Sequence, residues 1–412
     1  MILMRRIITH ALMADKQNTG AERVHLTTGR RVIESLTGMT DKEGDAMKLL
    51  VINPGSTSTK ITLYEDRSVV FEENIFHDAP ELLRFAHVND QMDFRKNLIL
   101  HLLQQYGVAP EEIDVYVGRG GSAYSQHEGV TVVDALLYQD TVNAVGGSDH
   151  PAKLGVMLAY ELGNDYGKPA YTLDPTNVDE LSDVARLTGI KGVYRNAQFH
   201  VLNQKAVARE HARKMGRRYD ECNFIVAHID GGITVNAHLK GRMVDGNVGA
   251  GGDGPYTPTR IGSVPVLPLM DYIDAHSTDE VRKMCSRSGG FVSMFGTADG
   301  NAIHEKVMKG DRKAVLVWQG MIYQIGKMIG EMAAVLHGDV DGILLTGGYM
   351  RFPDVIKGIQ DMCGWIAEIT VYPGEKEQAA LAAAVFEALE GKRPIHHYEG
   401  KPVWTGFDGL DL

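Results

Sequence analysis

Eight residues, Asn53-Pro54-Gly55-Ser56-Thr57-Ser58-Thr59-Lys60, combine the groups that receive a phosphate chain. Pro54 and Gly55 turn the backbone sharply. The hydroxyls of Ser56 and Ser58, with the freed N–H groups, then form a concave anion receptor, and Lys60 sets a positive charge beside it. A polar hairpin turn draws on the same residue types. A second turn, His228-Ile229-Asp230-Gly231-Gly232, could clamp further phosphates of the same nucleotide. Gly347-Gly348 after an apolar strand allows close approach to a flat ligand such as adenosine. Each of these turns alone is equally well a hairpin or a packing feature; their order along the chain is what points to a nucleotide.

Other residue types suit the remaining chemistry. Arg119 in VGRGG and Arg260 in GPYTPTRIG lie in Gly-rich or irregular loops, where a rigid guanidinium fork fits carboxylate or phosphoryl oxygens. Glu375 in YPGE follows an apolar strand and could hold a Mg2+ water. His150 precedes a proline, His200 opens a helix and Asp174 begins a turn before Pro175. Each has an ordinary structural explanation, a surface loop, a satisfied ring or a turn initiator. His396-His397 has no third ligand nearby in sequence and reads as exposed. No P-loop, G-x-S-x-G or HExxH string is present. A literal G-x-G-x-x-G at Gly249–Gly254 runs into Pro255-Tyr256-Thr257-Pro258 and not into the long helix a dinucleotide site needs.

The elements that must position these residues alternate between strands and helices, which makes the class α/β. LLVIN (49–53) runs through the first turn into ITLYE (61–65). FIVAHI (224–229) runs through the second into ITVNAHL (233–239). GILLT (342–346) runs through GGY into a helix from about Pro353. The first two turns lie 175 positions apart, a weak internal repeat that suggests two similar domains facing each other. Helices are predicted over 94–106, 200–215 and 378–389. The apolar stretch 314–336 carries Gln319, Gln324, Lys327 and Glu331, so it predicts a buried amphipathic helix and not a membrane span.

Composition narrows the function further. Over 412 residues, 42 Lys+Arg against 53 Asp+Glu leave a net charge of −11, which argues against nucleic acid or an anionic membrane as partner. Cys222, Cys285 and Cys363 are the three cysteines, too few and too far apart for a disulfide framework or a CxxC metal site, and consistent with a reducing cytoplasm. Residues 1–46 lack a clear period, whereas Met47 opens directly into a strand. We expect that segment to be a disordered arm or an over-extended reading of the start, since Lys42-Glu43-Gly44 can be encoded by a purine-rich ribosome-binding run.

The strings INPGSTSTK, VGRGG, DPTNVDELSDVARLTGI, FHVLNQKAVARE, GDGPYTP followed by Arg260, LLTGG and VYPGE together resemble butyrate kinases, in the acetate kinase branch of the actin-like and sugar-kinase-like phosphotransferases. The resemblance spans about Lys48 to Arg393. It implies two RNase-H-like domains, 47–195 on the carboxylate side and 196–391 on the nucleotide side, around a nucleotide cleft. The last helix would pack back on the first domain, and 392–412 would form a tail. It implies ATP and Mg2+, a short-chain carboxylate substrate such as butyrate or isobutyrate, a cytoplasmic enzyme and a homo-oligomer. Residue by residue, Asn53 and Glu375 would serve Mg2+. Ser56, Ser58, Lys60, His228, Asp230, Gly231, Gly232, Thr297, Asp299, Gly347 and Gly348 would line the ATP site. Arg119 and His150 would bind the substrate, His200 and Arg260 would stabilise the transferring group, and Asp174 takes the acid/base or Mg2+-organising position. Asp230 stands where this family commonly has Gly, and Ile261 where Ser is usual. Acetate or propionate kinase, and a non-catalytic actin-like ATP-binding module, are the competing readings.

Overall fold

In the computed structural model, residues 46–82, 84–147 and 150–410 are described; the expectations for the arm before Met47 otherwise lie outside the described residues. Strand β1 (Lys48–Pro54) forms because Leu49, Leu50, Val51 and Ile52 are apolar on both faces, and all four are fully buried. Such a run fits only a central strand covered on both sides. It pairs antiparallel with β2 (Ser58–Glu65), which pairs with β3 (Ser68–Phe76), and its other edge pairs parallel with β4 (Val115–Gly118). With β5 (Val130–Val132), β6 (Ala170–Leu173) and β12 (Ile395–His396) the sheet has the order β12-β5-β6-β4-β1-β2-β3.

A second sheet repeats the plan. Strands β7 (Asn223–Ile229), β8 (Ile233–Leu239) and β9 (Arg242–Gly246) form the antiparallel meander, and β10 (Gly342–Gly347) and β11 (Ile369–Pro373) join parallel, giving the order β11-β10-β7-β8-β9. β1 and β2 start 175 positions before β7 and β8, so the hairpin repeat seen in sequence is a repeat of structure. The third strand–glycine segment is a different element: β10 is a parallel strand, equivalent to β4 and not to the hairpins.

Helices α1 (Met92–Gln105) and α2 (Lys153–Asp165) cover the first sheet, and α4 (Gly300–Met308), α5 (Arg312–Val335) and α6 (Pro353–Cys363) the second. The helix α3 between them (Val201–Lys214) packs on β7 and β10, and α7 (Glu377–Leu389) lies against both α3 and strands β1, β4 and β6. The stretch near 314–336 is indeed a buried helix, started by Asp311, whose side chain accepts from the Ala314 N–H. Among the described residues no helix is long and apolar enough to cross a membrane. β12 returns the chain to the first sheet beside β5, so His396 lies half-buried in a strand, its ring 6.5 Å from that of His127; the expectation of exposure is corrected for His396, while His397 is exposed.

Candidate active site

The parallel strands of both sheets deliver the site. Arg119 follows β4, and its turn is held by backbone contact with α2. A β-carbon on Gly118 would sit 2.0 Å from the Gly155 carbonyl oxygen, and one on Gly155 would sit 2.2 Å from that of Arg119. The Arg119 guanidinium points at Glu377 in the first turn of α7, Nη2 to Oε1 3.0 Å. The other oxygen of Glu377 accepts from Asn53 Nδ2 at the end of β1, 2.9 Å. Glu377 is buried, and that burial raises its carboxyl above the ordinary value against the pull of Arg119, with Glu375 adding to the rise. Glu375 is 44% exposed at the cleft; partial desolvation raises it too, opposed by Arg119 and reinforced by Asp230. Glu377 was missed in sequence, where Glu375 two residues earlier drew the assignment. The signal was an acid at the first position of a helix, where the helix dipole favours it.

Opposite stand imidazoles and a second arginine. His200, at the start of α3, stacks on His228 of β7 with ring centroids 4.0 Å apart and 13° between planes. Burial pulls His200 well below the ordinary histidine value, and His228, Arg260 and Arg119 push it further. His228 falls to about 4, chiefly by burial. His150 opens to solvent on one side; desolvation on the others, then Arg119 and Arg260, lower it to about 4. All three rings are therefore neutral at pH 7. Two of their tautomers follow from fixed donors. The backbone N–H of Ala152 donates to His150 Nδ1, 3.1 Å, so its proton is on Nε2. Asn203 Oδ1 accepts from the Lys376 N–H, 3.0 Å, so its Nδ2 donates to His228 Nδ1, 2.9 Å, and His228 too carries Nε2–H. Ligand atoms of His228, Asp230 and Glu375 lie within 4.8 Å of one another, but this tautomer puts an N–H where a cation needs a lone pair.

Arg260 lies over the second turn. A β-carbon on Gly232 would come within 2.3 Å of its Nη1, so a side chain there would displace the guanidinium. Nη1 donates to the Gly249 carbonyl, while the buried Nε has no partner among the described residues. Asp230 is turned to protein: Oδ2 accepts from the Gly348 N–H at 2.7 Å and Oδ1 from the Gly231 N–H at 2.8 Å, tying the second turn to the end of β10. The two glycines after β10 thus have a packing reason: β-carbons on Gly347 and Gly348 would strike the Ile229 backbone and the Asp230 carboxylate. Thr297 and Asp299 precede α4, where Asp299 accepts from the Asn301 N–H, and Asn301 in turn accepts from Arg351 Nε beyond Gly348. Tyr349 Oη, buried beside Gly300, has no partner.

The first turn is held from below by a residue the sequence reading passed over. Arg95 of α1 is fully buried, and its guanidinium donates to Gly55 O, Ser58 O and Thr59 Oγ1 at 2.7–3.0 Å. Ser56 is exposed and Ser58 half-exposed on that turn. Lys60 pairs with Glu72 at 2.9 Å, on the neighbouring strand. Asp174, after β6, is placed at the same small cavity as Arg119, His200 and Glu377. Its carboxylate, however, accepts from Gly129 N–H and from Arg209 of α3, 2.8 Å each. Burial alone would raise that carboxyl, but Arg209 and Lys205 overcome it and hold it below the ordinary value. An ionised, doubly engaged carboxylate is an anchor for Arg209, which suits the organising position and not a proton-transfer group.

Residues 185–352 match the model of the acetokinase family. Among solved structures the chain is similar to acetate kinase from Porphyromonas gingivalis, with 19% identity and a TM-score of 0.68 over 84% of this chain and 100% of that one. It is similar to a propionate kinase from Francisella tularensis, with 15% identity and a TM-score of 0.65 over 82% and 98%, and to acetate kinase from Entamoeba histolytica, with 16% identity and a TM-score of 0.66 over 82% and 98%. The fold is the actin-like arrangement of two α/β halves that these kinases share.

Proposed function

We propose that this chain is a carboxylate kinase of the butyrate kinase type, catalysing ATP + short-chain carboxylate ⇌ ADP + acyl phosphate. Residues 47–195 would serve the carboxylate and 196–391 the nucleotide. The observation that carries the reading is Arg119: a mostly buried guanidinium, 17% exposed, braced by Glu377 in a cleft that also holds three neutral imidazoles and Arg260. An anion-binding module that only cradles ATP has no need of this second arginine. The likeness to acetate and propionate kinases supports the reaction class, and the butyrate-type strings favour an acid larger than acetate.

The substrate carboxylate, with an ordinary value near ~4–5, is ionised at pH 7 and attacks without a general base. The difficulty is bringing one anion to another. Arg119, with His150, would hold the carboxylate, and His200 and Arg260 would donate to the transferring phosphoryl oxygens, which makes catalysis a matter of position and charge. The partnerless Arg260 Nε fits an anion there. Asn53, Glu375 and Glu377 offer the hard oxygen donors that Mg2+ takes, and the raised carboxyls of Glu375 and Glu377 fit a site completed by a cation. Bound Mg2+ would supply neutralisation of the phosphate chain.

Trapping with hydroxylamine tests the proposal. ATP, Mg2+ and an acid should give acyl hydroxamate, with butyrate or isobutyrate ahead of acetate and propionate. Preference for acetate or propionate would favour the runner-up kinase. ATP binding with no hydroxamate from any short acid would favour the binding module.

A further inference from the structure

His200 is not free to choose which nitrogen bears its proton. Its Nδ1 lies 2.8 Å from Thr234 Oγ1 of β8. That hydroxyl is fully buried and also accepts from Gln204 Nε2, 2.8 Å. The orientation of Gln204 is set by two groups that can only accept, the Thr234 carbonyl at 3.1 Å and Asn236 Oδ1 at 2.9 Å, which share the two Nε2 protons with the Thr234 hydroxyl. Gln204 Oε1 therefore accepts, and the group facing it, His238 Nε2 at 3.0 Å, must carry a proton. His238 Nδ1 then accepts from Tyr219 Oη at 2.7 Å. Burial keeps Tyr219 protonated and His238 neutral, as this chain requires. Gln204 Nε2 cannot accept, so among the described residues the Thr234 hydroxyl has one acceptor for its own proton, His200 Nδ1; the opposite choice would leave that proton buried and unpaired.

We propose that Gln204 and Thr234 are positioning residues that hold His200 as the neutral tautomer protonated on Nε2, so that it presents the cleft with an N–H and never a lone pair. The row Tyr219–His238–Gln204–Thr234–His200 runs in one direction and ends at the ring stacked on His228. Both stacked rings then offer donors to the same anion. The use of that N–H in phosphoryl transfer rests on the carboxylate kinase reading; the tautomer does not.

The test is two-bond 1H–15N correlation of histidine-labelled, ligand-free protein at pH 7.5, with His200 assigned by its loss in His200→Gln. The wild type should show His200 unprotonated at Nδ1 and protonated at Nε2. Gln204→Glu turns the donor into an acceptor. The Thr234 hydroxyl should swing to the new carboxylate and accept from His200 Nδ1–H, reversing the tautomer. In hydroxamate assays that variant should lose about a hundredfold in kcat, the usual effect of one lost preorganised donor, with ATP KM nearly unchanged. Gln204→Met, which breaks the row without reversing it, should retain Nε2–H and lose much less. Thr234→Val should give a mixed tautomer population and an intermediate kcat. A wild-type ring protonated on Nδ1, or on both nitrogens, overturns the proposal. So does a reversed tautomer with normal kcat. If the wild type makes no acyl phosphate at all, the kinase reading falls, while the spectrum still decides the tautomer.

Discussion

On the proposed reading Arg119→Ala should have two separable effects, because the guanidinium would hold the acid and also neutralises Glu377. For the substrate, losing a hydrogen bond between charged groups removes a net ~1.5–3 kcal/mol, so acid KM should rise by about 10- to 150-fold. For the fold, a Glu377 carboxylate with 3% exposure is left without its cation, and breaking a buried pair costs about 3–5 kcal/mol. The second effect depends on pH. The Glu377 carboxyl already lies above its ordinary value in the folded chain, and losing Arg119 raises it further. The folded state then binds a proton that the unfolded state releases, so stability falls as pH rises between the unfolded value near ~4.3 and the higher folded one. Arg119→Ala should thus regain stability relative to the wild type as pH is lowered through that window, read by denaturant titration at several pH values. Adding Glu377→Gln should restore most of the stability at pH 7 and leave acid KM high. If the second substitution instead returns acid KM to the wild-type value, Arg119 acts by quenching Glu377 and does not hold the acid.

Arg260→Ala should lower kcat by roughly a hundredfold, with a smaller change in acid KM, because the proposed role of its open Nε beside Gly232 is to meet the phosphoryl group; a pure KM effect in steady-state assays would assign it to ground-state binding. Asp230→Asn keeps an acceptor for the Gly348 N–H and removes a negative charge from the second turn. ATP KM should fall a few-fold, and a rise would mean that the charge itself braces the two turns. In the C-terminal segment, Trp404 carries the Arg186 guanidinium 4.6 Å from its ring centre and stacks edgewise on Tyr194 and Phe407. Trp404→Leu should cost about 1–2 kcal/mol in denaturant midpoints with kcat unchanged, and a fall in kcat would tie this segment to the site.

What was legible in the sequence was whatever the chain writes locally. β1, β2, β7, β8 and β10 announce themselves as apolar or alternating runs ending in glycine-rich turns, and the helix expected over 200–215 forms over Val201–Lys214. Short strands such as β5 and β12 were invisible, because two or three residues become a strand only through partners far along the chain. The same limit hid half of the site. Asn203 and Gln204 read as ordinary polar residues of a helix, yet both are fully buried because their acceptors and donors sit on β8, β10 and the 374–376 loop. Arg95 looked like a surface charge in an amphipathic helix until the turn at 55–59 closed over it.

The placement of the functional residues follows from the repeat itself. Asn53, Arg119 and Asp174 end or follow the mutually parallel β1, β4 and β6, while His228, Gly347 and Glu375 end or follow the mutually parallel β7, β10 and β11. In open α/β sheets the crevice outside the carboxyl ends of parallel strands is where a ligand meets free backbone groups. Two copies of one plan bring two such crevices, and α7 couples them: Glu377 at its start reaches Asn53 and Arg119, while Lys376 just before it fixes Asn203 and hence the His228 tautomer. Equivalent positions have then diverged in chemistry. After β4 the turn carries an arginine fork; at the end of β10 stand two glycines packed on the Ile229 backbone and on Asp230. One turn carries a charge and the other lets two backbones approach closely, which is the division of labour that the proposed transfer between an anionic acceptor and a nucleotide would use.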